Sequence, residues 1–403
     1  MRRRSPCVRV LLALALLVLP SEEIFAQSTT GETGLSPRQL MIRLTSAAGT
    51  GTGVANIGEV IADLIGLDVS TAPLGSSAGG FTFTFDPLTR SFRRAAPSFG
   101  PMFGERAITS GEGRANFGIN FIRTSYDTLD GVDLRDGSLS TAVMYAGSTP
   151  LYSGTVDLDA ATSTVVFFGN IALNEWFDLG LAVPHVRLEM TGRHQIGDEV
   201  TTGAASASGM GDVAVRAKIR AYSRGQGGIA LGIDARLPTG DKEALLGAGI
   251  ARTLVSGIWS GTFGRLVPHV STGFEYWSGH FEVYDPLERS VVDAGRHAMA
   301  YTAGVEWVAS DRLTVNAELV GRRIADGGRL SYRSLPFRGN PFGITSASIA
   351  SIEPRGLTQG AAAAGIKWNF AGSALLTASL LTPIDDSGLR DRLTPIVGLD
   401  WGF

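Results

Sequence analysis

The chain has 403 residues, with 52 glycines, a single cysteine, and 35 basic against 38 acidic side chains for a net charge of −3. Charged residues make up 18%, below the roughly 25% usual for soluble domains. These figures exclude a disulfide scaffold, an intrinsically disordered chain and a polybasic nucleic-acid binder, so no nucleic-acid partner is expected.

Arg2, Arg3, Arg4 and Arg9 precede an apolar run from Val10 to Leu19, and Ala26 stands before Gln27. Residues 1–26 read as a secretory signal peptide cut after Ala26. The run is too short for a membrane helix, which needs about 20 apolar residues. Cys7 lies ahead of it and leaves with the leader. A cysteine-free exported chain suggests a bacterial envelope protein. No later run is long enough for a membrane helix, so membrane passage would require a closed barrel.

Residues 27–112 precede the first clear strand. Within them, Ile57, Ile61 and Leu64 recur at helical spacing between Val54 and Leu67, which marks a plug helix. The stretch FTFTFDPLTRSF at 81–92 looks like a hairpin. This segment either folds into the lumen or packs at the periplasmic mouth. If 81–94 joined the wall, the strand count would rise from twelve to fourteen.

From residue 113 the chain alternates short turns with long polar loops. Strands are expected at 113–127, 155–173, 175–190, 211–222, 227–237, 248–258, 262–277, 297–308, 312–323, 360–370, 373–382 and 393–403. The long connections fall at 128–154, 191–210, 238–247, 278–296, 324–359 and 383–392. The fold class is therefore all-β: a transmembrane antiparallel up-and-down barrel spanning 113–403, with both ends on the short-turn, periplasmic side. Its bilayer partner is outer-membrane lipid. Phe403 closes the last strand as a C-terminal signal for the barrel-assembly machinery.

Trp176, Trp259, Trp307, Trp368 and Trp401 sit at short turns or the C-terminus, as a periplasmic aromatic girdle requires; Trp277 alone is at a long-loop end. Strand parity sorts the charges. Arg216, Lys218 and Arg220 share one face of 211–222, while Arg312, Glu318 and Arg322 share one face of 312–323. A basic side chain facing lipid costs about 2–4 kcal/mol at the bilayer midplane. These residues, with Glu306, are therefore expected to line the lumen. The apolar parity changes at Pro184, from Phe177, Leu179, Leu181 and Val183 to Val186, Leu188 and Met190. A one-residue slip produces such a change, so a wall bulge is expected there.

The sequence offers no catalytic or metal motif. The five histidines lack zinc spacing, and no nucleophile elbow or phosphate loop is present. Loop carboxylates such as Asp241, Glu243, Asp285, Glu288 and Asp293 read as solvated side chains. No enzyme activity, metal or cofactor is expected.

The segments GERAITSGEGRANFGINF (104–121), NEWFDLGLAVPHVRLEMTG (174–192), GMGDVAVRAKIRAY (209–222), GGIALGIDARLPTGDKEALLGAG (227–249) and AYTAGVEWVASDRLTVNAELVGRR (300–323) resemble one bacterial family. It comprises outer-membrane transporters of the meta-pathway of phenol degradation (MetA-like), distantly similar to FadL-like fatty-acid channels. The resemblance implies passive uptake of a small hydrophobic or aromatic ligand. The alternative is a closed structural or surface-interaction barrel with its interior charges paired.

Overall fold

The structure, a computed structural model, describes residues 28–31, 34–45, 57–71, 80, 82–86, 91–94, 96–285, 290–295, 297–338 and 343–403. The expected signal peptide lies outside the described residues. Twelve strands form the wall: β1 Ala115–Tyr126, β2 Thr149–Asn174, β3 Phe177–Ile196, β4 Ala214–Arg224, β5 Gly227–Arg236, β6 Arg252–Ser260, β7 Leu266–Trp277, β8 His297–Ser310, β9 Leu313–Ile324, β10 Leu357–Asn369, β11 Ala374–Pro383 and β12 Thr394–Gly402. Each pairs antiparallel with the next. β12 returns to β1, from Gly402 opposite Asn116 to Ile396 opposite Ile122, and closes the barrel. Closure removes the unpaired sheet edges that lipid cannot solvate. The Phe83–Asp86 and Ser91–Arg94 strands pair only with each other, so the wall has twelve strands and not fourteen.

Along the short-turn half of the wall, outward positions are apolar and exposed. Phe117 and Phe121 on β1, Phe167 and Leu173 on β2, and Leu179 and Leu181 on β3 are examples. Inward positions at the same level are buried Asn116, Asn120, Asn170 and Asp178. This is the pattern of a membrane-spanning barrel.

Higher up, the pattern inverts without a slip. Outward residues become Arg123 on β1, Ser163, Asp159 and Asp157 on β2, and Arg187, Glu189 and Arg193 on β3. Inward residues become Ile122, then Leu158 and Val156, then Val186, Leu188 and Met190. The change is level across three strands: Phe121 pairs with Val165 and Val165 with His185, while Arg123 pairs with Ser163 and Ser163 with Arg187. Water thus replaces lipid outside just where a packed core replaces polar filling inside.

The irregularity expected at Pro184 lies on the segment facing it and not within β3: Met210 stands opposite His185 and Ala214 opposite Ala182, so the three residues 211–213 face only Val183 and Pro184. The β2–β3 ladder itself runs unbroken from Val165 opposite His185 to Phe167 opposite Val183, and the other slips in the barrel ladders lie beside short turns. The apolar parity changes because the environment changes on both faces of one regular strand. Pro184 is tolerated because β3 exchanges neighbours there. β4 leaves after Ala214 opposite Ala182, and the strand Glu199–Met210 takes over at Met210 opposite His185. The intervening Gly211 N–H donates to the Pro184 carbonyl, so the missing proline N–H interrupts no ladder bond. The kink at 211–213 is closed by the 237–248 loop. Asp212 accepts N–H groups from Gly240 at 3.0 Å and Ala248 at 2.9 Å, and Val213 N–H donates to Thr239 Oγ1 at 2.9 Å.

The loops expected over 128–154, 191–210 and 324–359 are in large part sheet. β2 and β3 rise far above the apolar band. Leu139–Ala146, Glu199–Met210, Ser346–Glu353 and Arg329–Pro336 extend the wall beside them, and Ser28–Gly31 pairs at one edge.

Inside this tall wall, at the long-loop end, sit helices α1 Pro37–Thr45 and α2 Ile57–Ser70. Ser36 opens α1 with a reciprocal capping box: the Gln39 N–H donates to Ser36 Oγ at 3.2 Å and the Ser36 N–H to Gln39 Oε1 at 3.1 Å. Pro37 occupies the first helical position, where no N–H is needed. α2 is buried nearly all round, as expected of a helix enclosed by wall. Ile57, Ile61 and Leu64 join one core with Leu40, Leu44, Leu158, Val186, Leu188 and Met190. The helices therefore occupy the end opposite the short-turn mouth.

Candidate functional site

The short-turn half of the lumen is filled by a strap, residues 96–110, that precedes β1. It enters beside β11, where Phe99 packs on Leu375. It climbs to an apex at Phe103 and descends until the Thr109 hydroxyl donates to the Glu175 carbonyl at 2.7 Å. Wall side chains satisfy its backbone. Glu306 accepts the Gly100 N–H at 3.1 Å. Glu318 accepts the N–H groups of Met102, Phe103 and Gly104 at 2.5, 3.0 and 2.7 Å. Three consecutive N–H groups converging on one carboxylate form an anion-holding concavity, here turned onto the protein's own wall. Lys367 Nζ donates to the Pro101 carbonyl at 2.7 Å, and Asp178 accepts the Ser110 N–H.

The strap contributes charge as well. Arg106 Nε donates to Glu306 at 2.9 Å and its Nη2 contacts both Glu306 and Ser98; Arg106 and Glu306 are both buried. Glu105 lies 3.5 Å from Arg216 and 3.6 Å from Lys218, which also faces Asp178 at 3.6 Å. His269 is wholly buried between Glu306 at 3.7 Å and Glu318 at 3.6 Å. Gly104 is required at this crossing, since a Cβ there would stand 2.6 Å from the His269 ring.

Glu306, Glu318, Arg216 and Lys218 thus face the lumen and are engaged by the strap. Arg322 also faces inward, at a higher level, and Arg220 lies half-buried at the short-turn rim beside a slip in the β4–β5 ladder. Arg312 departs from its expected place. It sits in the β8–β9 turn with its side chain exposed, because the strand begins only at Leu313. Trp176, Trp259, Trp307 and Trp368 are exposed near the short-turn end, while Trp401 stacks on Phe117, which stacks in turn on Phe403. Trp277 is buried in the upper core. Sequence parity missed Asp178, His269, Lys367 and Asp400 as buried lumenal groups. Asp178, alone among the outward apolar residues of FDLGL, carried a legible signal.

Between the strap apex and the C-terminal end of α2 lies a chamber of about 330 Å³, with a side compartment of about 110 Å³; Phe103 lines both. Above it, three arginines clamp the helix end. Arg236 donates to the Ser70 carbonyl, Arg252 to the Ser70 and Thr71 hydroxyls at 2.7 and 3.0 Å, and Arg322 to the Thr71 hydroxyl at 2.9 Å. Cations at a helix C-terminus complement its dipole. Burial pushes the Asp68 carboxyl in the last turn of α2 above its usual range, with nearby Arg322 offsetting part of the rise.

No family model matches the sequence, and no curated protein does. Solved structures similar to the chain include an outer-membrane channel from Pseudomonas putida F1, with 10% identity over 72% of this chain and 96% of that one at a TM-score of 0.44. They also include the toluene transporter TbuX of Ralstonia pickettii (10% identity, 73% and 90%, TM-score 0.36) and a FadL homologue from Pseudomonas aeruginosa (12%, 82% and 97%, TM-score 0.33). All three scores are below 0.5, so the architecture of this chain rests on its own strand pairing.

Proposed function

We propose that the chain is an outer-membrane channel for small hydrophobic or aromatic compounds, of the phenol-pathway type that its sequence resembles. The observation that carries this is the chamber: a largely apolar space inside a lipid-facing barrel, closed below by a strap held only through non-covalent contacts. Small-molecule sites span about 300–1,000 Å³, and the chamber is at the lower end. Residues 1–26 are removed on export in this proposal. The short-turn end faces the periplasm with its tryptophans at the interface, and Phe403 is presented to the assembly machinery. Solute passes from the long-loop end through the chamber once the strap gives way.

Flux into liposomes bearing the refolded protein tests this, with benzyl alcohol, toluene and sucrose measured in parallel. Faster passage of the two aromatics than of sucrose is expected. A folded barrel that accelerates no solute overturns the channel and leaves a closed structural barrel.

A further inference from the structure

The other arginines around the chamber and strap already hold a carboxylate. Arg106 holds Glu306, Arg216 and Arg236 share Asp234, Arg252 holds Glu275 and Arg390 holds Asp385. Arg322 lines the chamber and has no carboxylate within 4.0 Å among the described residues. Its Nε donates to Gln359 Oε1 at 2.8 Å and its Nη1 to Thr71 Oγ1 at 2.9 Å, both neutral acceptors. Its Nη2 has no acceptor among the described residues. The acids nearest to it are engaged elsewhere. Asp68 accepts the Tyr126 hydroxyl at 3.2 Å, and Glu275 accepts Arg252 at 3.2 Å and the Trp277 indole N–H at 3.0 Å. The Nε of Arg390, on the same chamber, is buried without a partner.

A cation enclosed in low dielectric with no carboxylate in direct contact is costly, and a carboxylate supplied from outside relieves that cost. Among the other lining residues, Ile122, Leu254, Val320, Leu381 and Leu389 are available to an apolar body. A guanidinium with free donors prefers a planar anion that accepts two bonds. We propose that the chamber binds a small aromatic monocarboxylate, its carboxylate on Arg322 and its ring against the aliphatic wall. This rests on the channel reading and names the class of its cargo. The chamber, at about 330 Å³, has room for one such ring.

The test is titration calorimetry of the full mature chain in detergent, with benzoate and benzyl alcohol as probes. Arg322→Gln is compared with Arg322→Lys and Arg38→Gln, and heat-modifiable gel mobility reports the folded barrel. A hydrogen bond to a charged group contributes about 1.5–3 kcal/mol, so benzoate affinity should fall roughly 10- to 100-fold in Arg322→Gln. Partial recovery is expected in Arg322→Lys, with benzyl alcohol binding unchanged throughout. Arg38→Gln, which removes the Asp63 ion pair of α2 away from the chamber, should leave benzoate binding intact. Equal benzoate affinity in wild type and Arg322→Gln overturns the proposal, as does an equal loss in Arg38→Gln or no benzoate binding by the wild type. If liposomes pass benzyl alcohol while benzoate fails to bind, only this inference falls. If benzoate binds but no solute crosses, the channel reading falls instead.

Discussion

The two halves of this barrel solve opposite problems with one continuous set of strands. Below the level of Phe121, Val165 and His185, the wall is apolar outside and polar inside. Above it, the same strands are polar outside and apolar inside. The interior partner differs accordingly: a backbone strap with few side chains to bury below, and an apolar helix above. A strap seldom supplies its own hydrogen bonds, so polar wall residues satisfy it. A helix satisfies its backbone internally and needs an apolar surround. The filling of each half thus dictates the inner face, and the solvent dictates the outer one.

The lower filling is the more vulnerable, because it rests on buried charge. Glu306→Ala leaves Arg106 buried without its carboxylate, a change that costs about 3–5 kcal/mol. The expected result is release of the strap, read as accelerated amide exchange over residues 99–107 and a rise in planar-bilayer conductance. If exchange in the strap is unchanged, the lower half does not depend on this ion pair. The upper filling should respond through packing alone. Ile61→Ala removes a fully buried side chain and should cost about 2–5 kcal/mol. Limited proteolysis should then cut within 37–70 while the conductance of the strapped lower half stays low. A rise in conductance equal to that of Glu306→Ala would erase the distinction between the halves.

The lower half was legible in the sequence and the upper half was not, for one physical reason. Outward Leu179 and Leu181, with inward Asp178, alternate as lipid-facing strands do, so strand positions, short turns and the lumenal Glu306, Glu318, Arg216 and Lys218 follow from parity. Above Pro184 the same alternation continues with polarity exchanged. A criterion of apolar-outward residues then reads a slip within β3, whereas the extra residue sits opposite it at 211–213, and reads loops where Glu199–Met210 and Ser346–Glu353 are strands. The strap was illegible because its partners are remote: Met102 and Glu318 are separated by 216 positions. An unpaired inward Glu306 and Glu318 was the trace it left.

The outer faces can be compared directly. Leu179→Arg places a cation against lipid and should cost about 2–4 kcal/mol in urea-driven unfolding from liposomes. Thr191→Arg, on the outward face of the same strand twelve positions higher, should stay within about 0.5 kcal/mol of wild type. Equal costs would mean that the apolar band extends past His185, and the level of the inversion would have to be redrawn.

The smallest effect is expected where the two halves meet, at the end of α2. Burial raises the Asp68 carboxyl above its unfolded value of 3.8, against the pull of Arg322. An acid whose pKa is higher in the folded protein binds its proton more tightly there. Its contribution to stability is therefore complete below the unfolded value and is lost as pH rises through the folded one. Docking of α2 should accordingly be tightest at acid pH and weaken as the pH rises above 3.8 towards neutrality, seen as faster amide exchange in residues 64–70 after correction for the intrinsic rate. Asp68→Asn keeps an acceptor for the Tyr126 hydroxyl and removes the ionisation, so its protection should lose this dependence and match the acid-pH wild type at neutral pH. If the variant retains the same pH profile, the titrating group is not Asp68. The helix end would then owe its behaviour to the three arginines of the lower lumen's upper rim, so that even the apolar cap would be fastened by charge at its base.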